Sequence, residues 1–148
     1  MTYLELINDV LVRLREPTVS TNLETTYSTL LGKFVNDAKR QIEDAFAWNV
    51  LVQTITVTTV ASTSSYSLTG AGQKFQVLDA INTTSLLGMT NVDFVTMNRN
   101  INFLPVGTSA PTDYAFNGVD GNYDTKVTLY PVPDAVYTVK FSLAIAQA

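Results

Sequence analysis

The spacing of hydrophobic and polar positions changes once along this chain, near Trp48. Before it, apolar residues recur every three to four positions, the signature of a half-buried helix. Tyr3, Ile7, Val10, Leu11 and Leu14 form the first series, and Leu4 and Leu6 widen its apolar arc on either side. Thr2 and Glu5 precede it as a capping box, each side chain taking a backbone N–H that the first turn leaves without a partner. Pro17 is expected to end this helix by pushing Glu16 out of the α region. So wide an arc reads as a helix wedged between two neighbours, both within this chain or one of them another subunit. Val12 stands alone on the opposite face, among Glu5, Asn8, Asp9 and Glu16. After a polar connection, Thr18 to Thr26, a second helix is expected from about Tyr27 to Ala47. Its apolar stripe is Tyr27, Leu31, Phe34, Ala38, Ile42 and Ala45, of which the first five should pack on Ile7, Val10, Leu11 and Leu14. Lys33, Asn36, Asp37, Arg40, Glu43 and Asp44 lie on its other side.

After Trp48 the period falls to two and β-branched residues accumulate. Gln53 to Thr58 alternates as a strand, Tyr66-Ser67-Leu68 reads as its short partner, and Phe75 to Ile81 as a third strand beyond the turn Thr69-Gly70-Ala71-Gly72. The pattern is weak from Asn82 to Pro111. Asn91 is a candidate cap for a short helix through Arg99, with Phe94, Val95 and Met97 as its anchors. Leu86-Leu87-Gly88-Met89 and Ile101-Asn102-Phe103-Leu104 are apolar segments between polar ones, either buried or offered to a partner. Strands resume at Tyr114-Ala115-Phe116, Lys126 to Tyr130 and Tyr137 to Leu143, with turn signals at Asn117-Gly118 and Asp120-Gly121-Asn122. Pro131-Val132-Pro133-Asp134 cannot continue a ladder and joins the last two. Two helices followed by five or six strands make an α+β chain. The expected architecture is an N-terminal helical hairpin or bundle over residues 1–49 and a small antiparallel β-sandwich or barrel over 50–148, in one structural unit.

Composition narrows the function more than the fold. Charged residues are 15% of 148, against about 25% in an average globular chain, while hydrophobic residues are 46%. With so little charge, either the domain is unusually compact or some apolar surface is covered by partners. The net charge of −4 and the absence of any basic run give no grip on phosphates. Cysteine and histidine are absent, which removes disulfides, thiolate metal sites and the commonest general base. Asp120-Gly121-Asn122-Tyr123-Asp124 starts like a calcium loop, but Thr125 stands where glycine is needed and Pro131 where a bidentate glutamate is needed, so a plain turn is expected. Gly70-x-Gly72 leads into a strand rather than a helix, unlike a dinucleotide loop. Glu43 and Asp44 are adjacent on a helix and point apart, so they are no catalytic pair. No catalytic residue, metal site or cofactor is expected. No apolar run approaches transmembrane length, and Met1 and Thr2 lead into a helix without the n-region and h-region of a signal peptide.

The ordered segments resemble the head-to-tail adaptor (connector) proteins of short-tailed bacteriophages. Thr2-Tyr3-Leu4-Glu5-Leu6-Ile7 with Arg13-Leu14-Arg15-Glu16 is similar to their first helix. Tyr27-Ser28-x-Leu30-Leu31-Gly32-x-Phe34-Val35-Asn36-x-Ala38-Lys39-Arg40 and Glu43-Asp44-Ala45-x-x-Trp48 are similar to their second. Thr56 to Ala61, Tyr66-x-Leu68-x-Gly70-Ala71-Gly72, Tyr114-x-Phe116-Asn117-Gly118 and Leu129 to Asp134 continue the likeness, which is weakest over Leu86 to Val106. The resemblance implies a structural virion protein, a homo-oligomeric and dodecameric ring between the portal protein and the tail tube or nozzle protein. DNA would pass through the ring without specific binding. No membrane is involved, and the place would be the virion neck, after assembly in the host cytoplasm. The family's chains continue into a further helical segment past the last strand, where this sequence stops at Ala148. The alternative is a tail-fibre or baseplate β module with an N-terminal helical attachment.

A ring built by rotation needs two different faces on each subunit. The mixed-charge row Lys33, Asp37, Arg40 and Asp44 on the second helix is the candidate for one, and Val12 within its acidic surround on the first helix for the other. The pairs Lys33/Asp37, Lys39/Glu43 and Arg40/Asp44 place the base first, the weaker order along a helix, so the plain alternative is a solvated face.

Overall fold

A computed structural model describes residues 1–46, 48–103 and 107–145. They belong to two compact units, Met1–Phe46 and Ala47–Ala148. The chain is α+β, with its helices leading.

In the first unit, α1 (Tyr3–Arg13) starts at the expected capping box. The Glu5 N–H donates to Thr2 Oγ1 at 3.3 Å, and the Thr2 N–H donates to Glu5 Oε2 at 2.6 Å. The helix stops before Pro17 can act. Leu14 is the C-cap and Arg15 turns left-handed at φ 61°. The Arg15 N–H then donates to Val12 O at 3.1 Å and the Glu16 N–H to Leu11 O at 2.9 Å. That double closure is a Schellman motif, which satisfies carbonyls the helix end would strand. In the connection, the Asn8 amide pairs with the backbone of Val19, donating to its O at 3.0 Å and accepting from its N–H at 2.9 Å. Glu24 Oε2 accepts from the Ser20 N–H at 2.6 Å and Ser20 Oγ at 2.9 Å.

The second helix, α2 (Thr26–Ala45), has a capping box of its own between Thr25 and Ser28. Ala47, its expected end, lies outside the described residues. The core of this unit is Ile7, Leu11, Val19 and Leu31, with Leu4, Val10 and Val35 against it. This corrects the expected packing. Leu31 is buried, but Tyr27, Phe34 and Ile42 are 57%, 58% and 58% exposed, and Leu14 is 55% exposed. The helices meet instead where α2 is small: Ser28 and Gly32 are buried. The Tyr3 hydroxyl donates to Gly32 O at 2.8 Å, and a Cβ on Gly32 would fall 2.8 Å from that hydroxyl oxygen. Two side chains without bulk, one turn apart, let the helices approach. The wide arc of α1 is likewise only partly covered, since Leu6 and Leu14 are exposed.

The second unit opens with a single 3-10 turn (Asn49–Leu51) and then carries two four-stranded sheets around one core. Its elements are β1 (Val52–Thr58), β2 (Ser65–Ser67), β3 (Phe75–Asn82), β4 (Leu87–Gly88), β5 (Thr90–Asn91), α3 (Phe94–Phe103), β6 (Asp113–Val119), β7 (Thr125–Tyr130) and β8 (Thr138–Ile145). The sheet orders are β1-β8-β3-β4 and β2-β7-β6-β5, antiparallel except for β5 beside β6. Val57, Ala80, Val139, Phe141 and Leu143 from one sheet meet Leu68, Ala71, Tyr114, Val127 and Leu129 from the other strands and their turn. The result is a sandwich. Edge-to-face contacts link Phe75 to Phe116, Phe116 to Tyr114 and Tyr114 to Phe141 across it.

Four local expectations change. β2 pairs with β7 in the second sheet, so the partner of β1 is β8. Asn117-Gly118 lies inside β6 as an irregularity, where Gly118 takes φ 65° and the register slips between Phe116 and Val119. Asn91 belongs to β5, and Asp93 caps α3, accepting from the Thr96 N–H at 3.0 Å. Of the three expected anchors only Met97 is buried, against Ala115 and Tyr130, while Phe94 and Val95 are exposed. Among the apolar segments, Leu86 and Leu87 are exposed, as is Phe103; Leu104 lies outside the described residues.

Candidate protein interface

Side chains on α2 divide into three strips. Successive residues turn by about 100°, so Ser28, Leu31, Gly32 and Val35 share the side that meets α1. Tyr27, Leu30, Phe34, Ala38 and Ile42 lie roughly a quarter-turn away, and all five are exposed. The charged row Lys33, Asp37, Arg40 and Asp44 follows on the far flank of that strip, also exposed. An apolar strip thus runs along the helix, bordered by α1 on one side and by alternating charges on the other. A protein interface has this anatomy, with an aromatic-rich centre and a charged rim. The sequence series that places Phe34 and Ile42 on one face is right about the face and wrong about what covers it.

Val12 is 60% exposed and sits about 140° round α1 from Ile7. Its acidic surround is less bare than the sequence suggests. Asp9 pairs with Arg13 at 3.0 Å, and Glu5 lies 3.9 Å from the Met1 ammonium while accepting the Thr2 N–H. On α2, Lys39 pairs with Glu43 at 3.7 Å. Val12 and the charged row therefore lie on different helices, and among the described residues nothing gathers them into one site.

Two carboxylates of the β unit, Asp124 and Asp120, serve its turns. Asp124 Oδ1 accepts from the N–H groups of Gly70 and Gly72, both at 3.1 Å, tying the β2–β3 connection to the β6–β7 turn. Asp120 Oδ1 accepts from the Asn122 and Asp124 N–H groups. The hydrogen bond from the Ser67 side chain, then the one from the Asn122 backbone, hold the Asp120 carboxyl below its ordinary range. Among the described residues no group of three or more acidic, cysteine or histidine side chains gathers as metal ligands. No helix among them is long and apolar enough to cross a membrane.

The SU10 adaptor protein family matches residues 1–144. The chain belongs to that family. It is therefore a phage structural adaptor, a component that works by contact with other virion proteins, and family membership implies a role without catalysis. No curated protein matches the chain at a significant level. A signal for the exposed strip was present in the sequence: Ser28 and Gly32, one turn apart, mark where a neighbouring helix comes close. The larger apolar residues beside them then have no helix of this unit to cover them.

Proposed function

We propose that this adaptor forms a closed homo-oligomeric ring in the virion neck, twelve-fold to match the portal, joining the portal protein to the tail tube or nozzle protein. The observation that carries this reading is the exposed strip of Tyr27, Leu30, Phe34 and Ile42 beside the row Lys33, Asp37, Arg40 and Asp44. Such a strip is costly on a free subunit and is stabilised when a neighbour buries it. Alternating charges beside it set register and reject wrong partners more than they add affinity. The Val12 face of α1 is the second surface, which a head-to-tail contact requires. Assembly takes place in the host cytoplasm, and DNA passes through the ring without being gripped.

The test is reconstitution on portal-bearing heads, with native mass measurement of the product. The wild-type chain should add as a twelve-fold complement. The double substitution Lys33→Glu, Arg40→Glu should fold normally and fail to join. Normal joining by the double variant would remove the α2 interface. A trimer in place of a large ring would favour a fibre or baseplate module.

A further inference from the structure

Among the described residues, the two sheets give the β unit four edge strands. Three of them, β2, β4 and β5, have only three, two and two residues. The fourth, β1, has seven, and its register with β8 is unbroken from Val52 to Thr58. A long edge presents a row of unpaired backbone groups, which proteins blunt with lysine, proline or a bulge. The β1 sequence, VQTITVT, contains none of these.

Which groups point outward follows from the pairing. In an antiparallel pair, residues that exchange backbone hydrogen bonds alternate with residues that do not. The Thr59 N–H donates to Tyr137 O at 2.9 Å, continuing the register in which Val57 faces Val139. Odd-numbered residues of β1 therefore turn their backbone groups to β8, and Thr54, Thr56 and Thr58 turn theirs outward. Val60 confirms the phase. Its outward N–H and C=O both meet the Tyr66 hydroxyl, at 3.0 and 3.1 Å. The fold thus covers Val60, while among the described residues nothing meets the outward groups of the three threonines before it. All three side chains are exposed.

We propose that this edge pairs with the same edge of a second copy, antiparallel, about a two-fold axis through Thr56. Self-complementarity selects a second copy as the occupant. In that register Thr56 faces Thr56 and Thr54 faces Thr58, so the outward groups of all three residues find partners. Threonine pairs line one face and Ile55 lies opposite Val57 on the other, both favourable cross-strand combinations. The new ladder ends at Thr54 and Thr58, because the next outward position, Val60, is already held by the Tyr66 hydroxyl. No charge occurs in the strand, so no like charges are opposed. The nearest base, Lys140, faces Thr56 from β8. Three strand spacings would separate it from its copy, about 14 Å, beyond the screening length of about 8 Å. A two-fold contact is closed, so a single pairing withdraws the edge from open-ended growth. The α2 interface plays no part in it, and since a two-fold cannot relate subunits of one polar ring, this pairing is that of the free chain.

Analytical ultracentrifugation of the full chain over a concentration series tests this. The wild type should show a monomer–dimer equilibrium. Thr56→Pro removes an outward N–H and no bond to β8. It should raise the dissociation constant about tenfold or more while circular dichroism stays that of the wild type. Thr56→Lys keeps the backbone intact and sets two ammonium groups against each other across the axis. It should also weaken the dimer, and it decides the matter if the proline variant fails to fold. Lys33→Glu, Arg40→Glu should dimerise like the wild type, which separates this contact from the ring interface. A wild type that stays monomeric throughout, or a dimer unchanged by both Thr56 substitutions, overturns the proposal.

Discussion

Arg15 holds φ at 61°, a conformation in which a side chain's Cβ crowds the following carbonyl. Glycine is the usual residue at this position of a Schellman motif. Glycine also gains freedom in the unfolded chain, which offsets part of the relief. Arg15→Gly is accordingly expected to stabilise the helical unit by about 0.5–1 kcal/mol, read as a higher urea midpoint at unchanged slope. Leu11 and Phe34 make a sharper contrast. Leu11 is 1% exposed in the core of the unit, so Leu11→Ala should cost about 2–5 kcal/mol. Phe34 is over half exposed, so Phe34→Ala should change stability by less than about 1 kcal/mol and still weaken joining to portal-bearing heads. Equal losses of stability in urea unfolding would put Phe34 back in the core.

At the level of elements, the connection between α1 and α2 is held by side chains rather than by secondary structure. Asn8 anchors Val19, and Glu24 gathers the Ser20 N–H, the Ser20 hydroxyl and the Thr21 N–H. Those bonds, the Ser20 backbone first, hold the Glu24 carboxyl below its ordinary range. A depressed carboxyl is stabilising above its unfolded pKa, and the contribution is lost as pH falls through the folded value. Wild-type stability should therefore decline as pH drops through and below the usual carboxylate range, and Glu24→Gln should flatten part of that decline. Thermal melts of both proteins from neutral to strongly acid pH check it. Parallel curves would mean that Glu24 braces nothing.

For the whole molecule, the charge balance matters more than any single pair. Thirteen acidic residues against nine basic ones, with no basic patch along the chain, leave no multivalent hold on a phosphate backbone. In the proposed ring, a wall of this kind lets DNA slide. The chain should not retard duplex DNA in a gel shift at physiological salt; tight, salt-sensitive retention would contradict the channel reading. The proposed joint with the portal should respond differently, because in that reading Lys33 and Arg40 meet acidic neighbours. Its formation should weaken as salt screens that rim.

The local rules of the chain were legible in its sequence. Period and capping set α1, α2 and most strands, because a capping box or an alternating run needs only neighbours in sequence. The missing histidine and cysteine and the low charge turned the reading from catalysis to contact for the same reason, since composition does not depend on the fold. Pairing and coverage were not legible. Tyr66 reads as the partner of Gln53 to Thr58 by proximity in the chain, yet β2 joins β7 and β1 joins β8, because a sandwich rewards burial over nearness. Phe34 and Ile42 fit a core stripe by spacing, but spacing says only that residues share a face. Whether that face is covered depends on where the neighbouring helix can come close, and here Ser28 and Gly32 draw α1 to one side. The tertiary structure therefore decided that the apolar stripe of α2 is exposed, the feature on which the proposed interface rests.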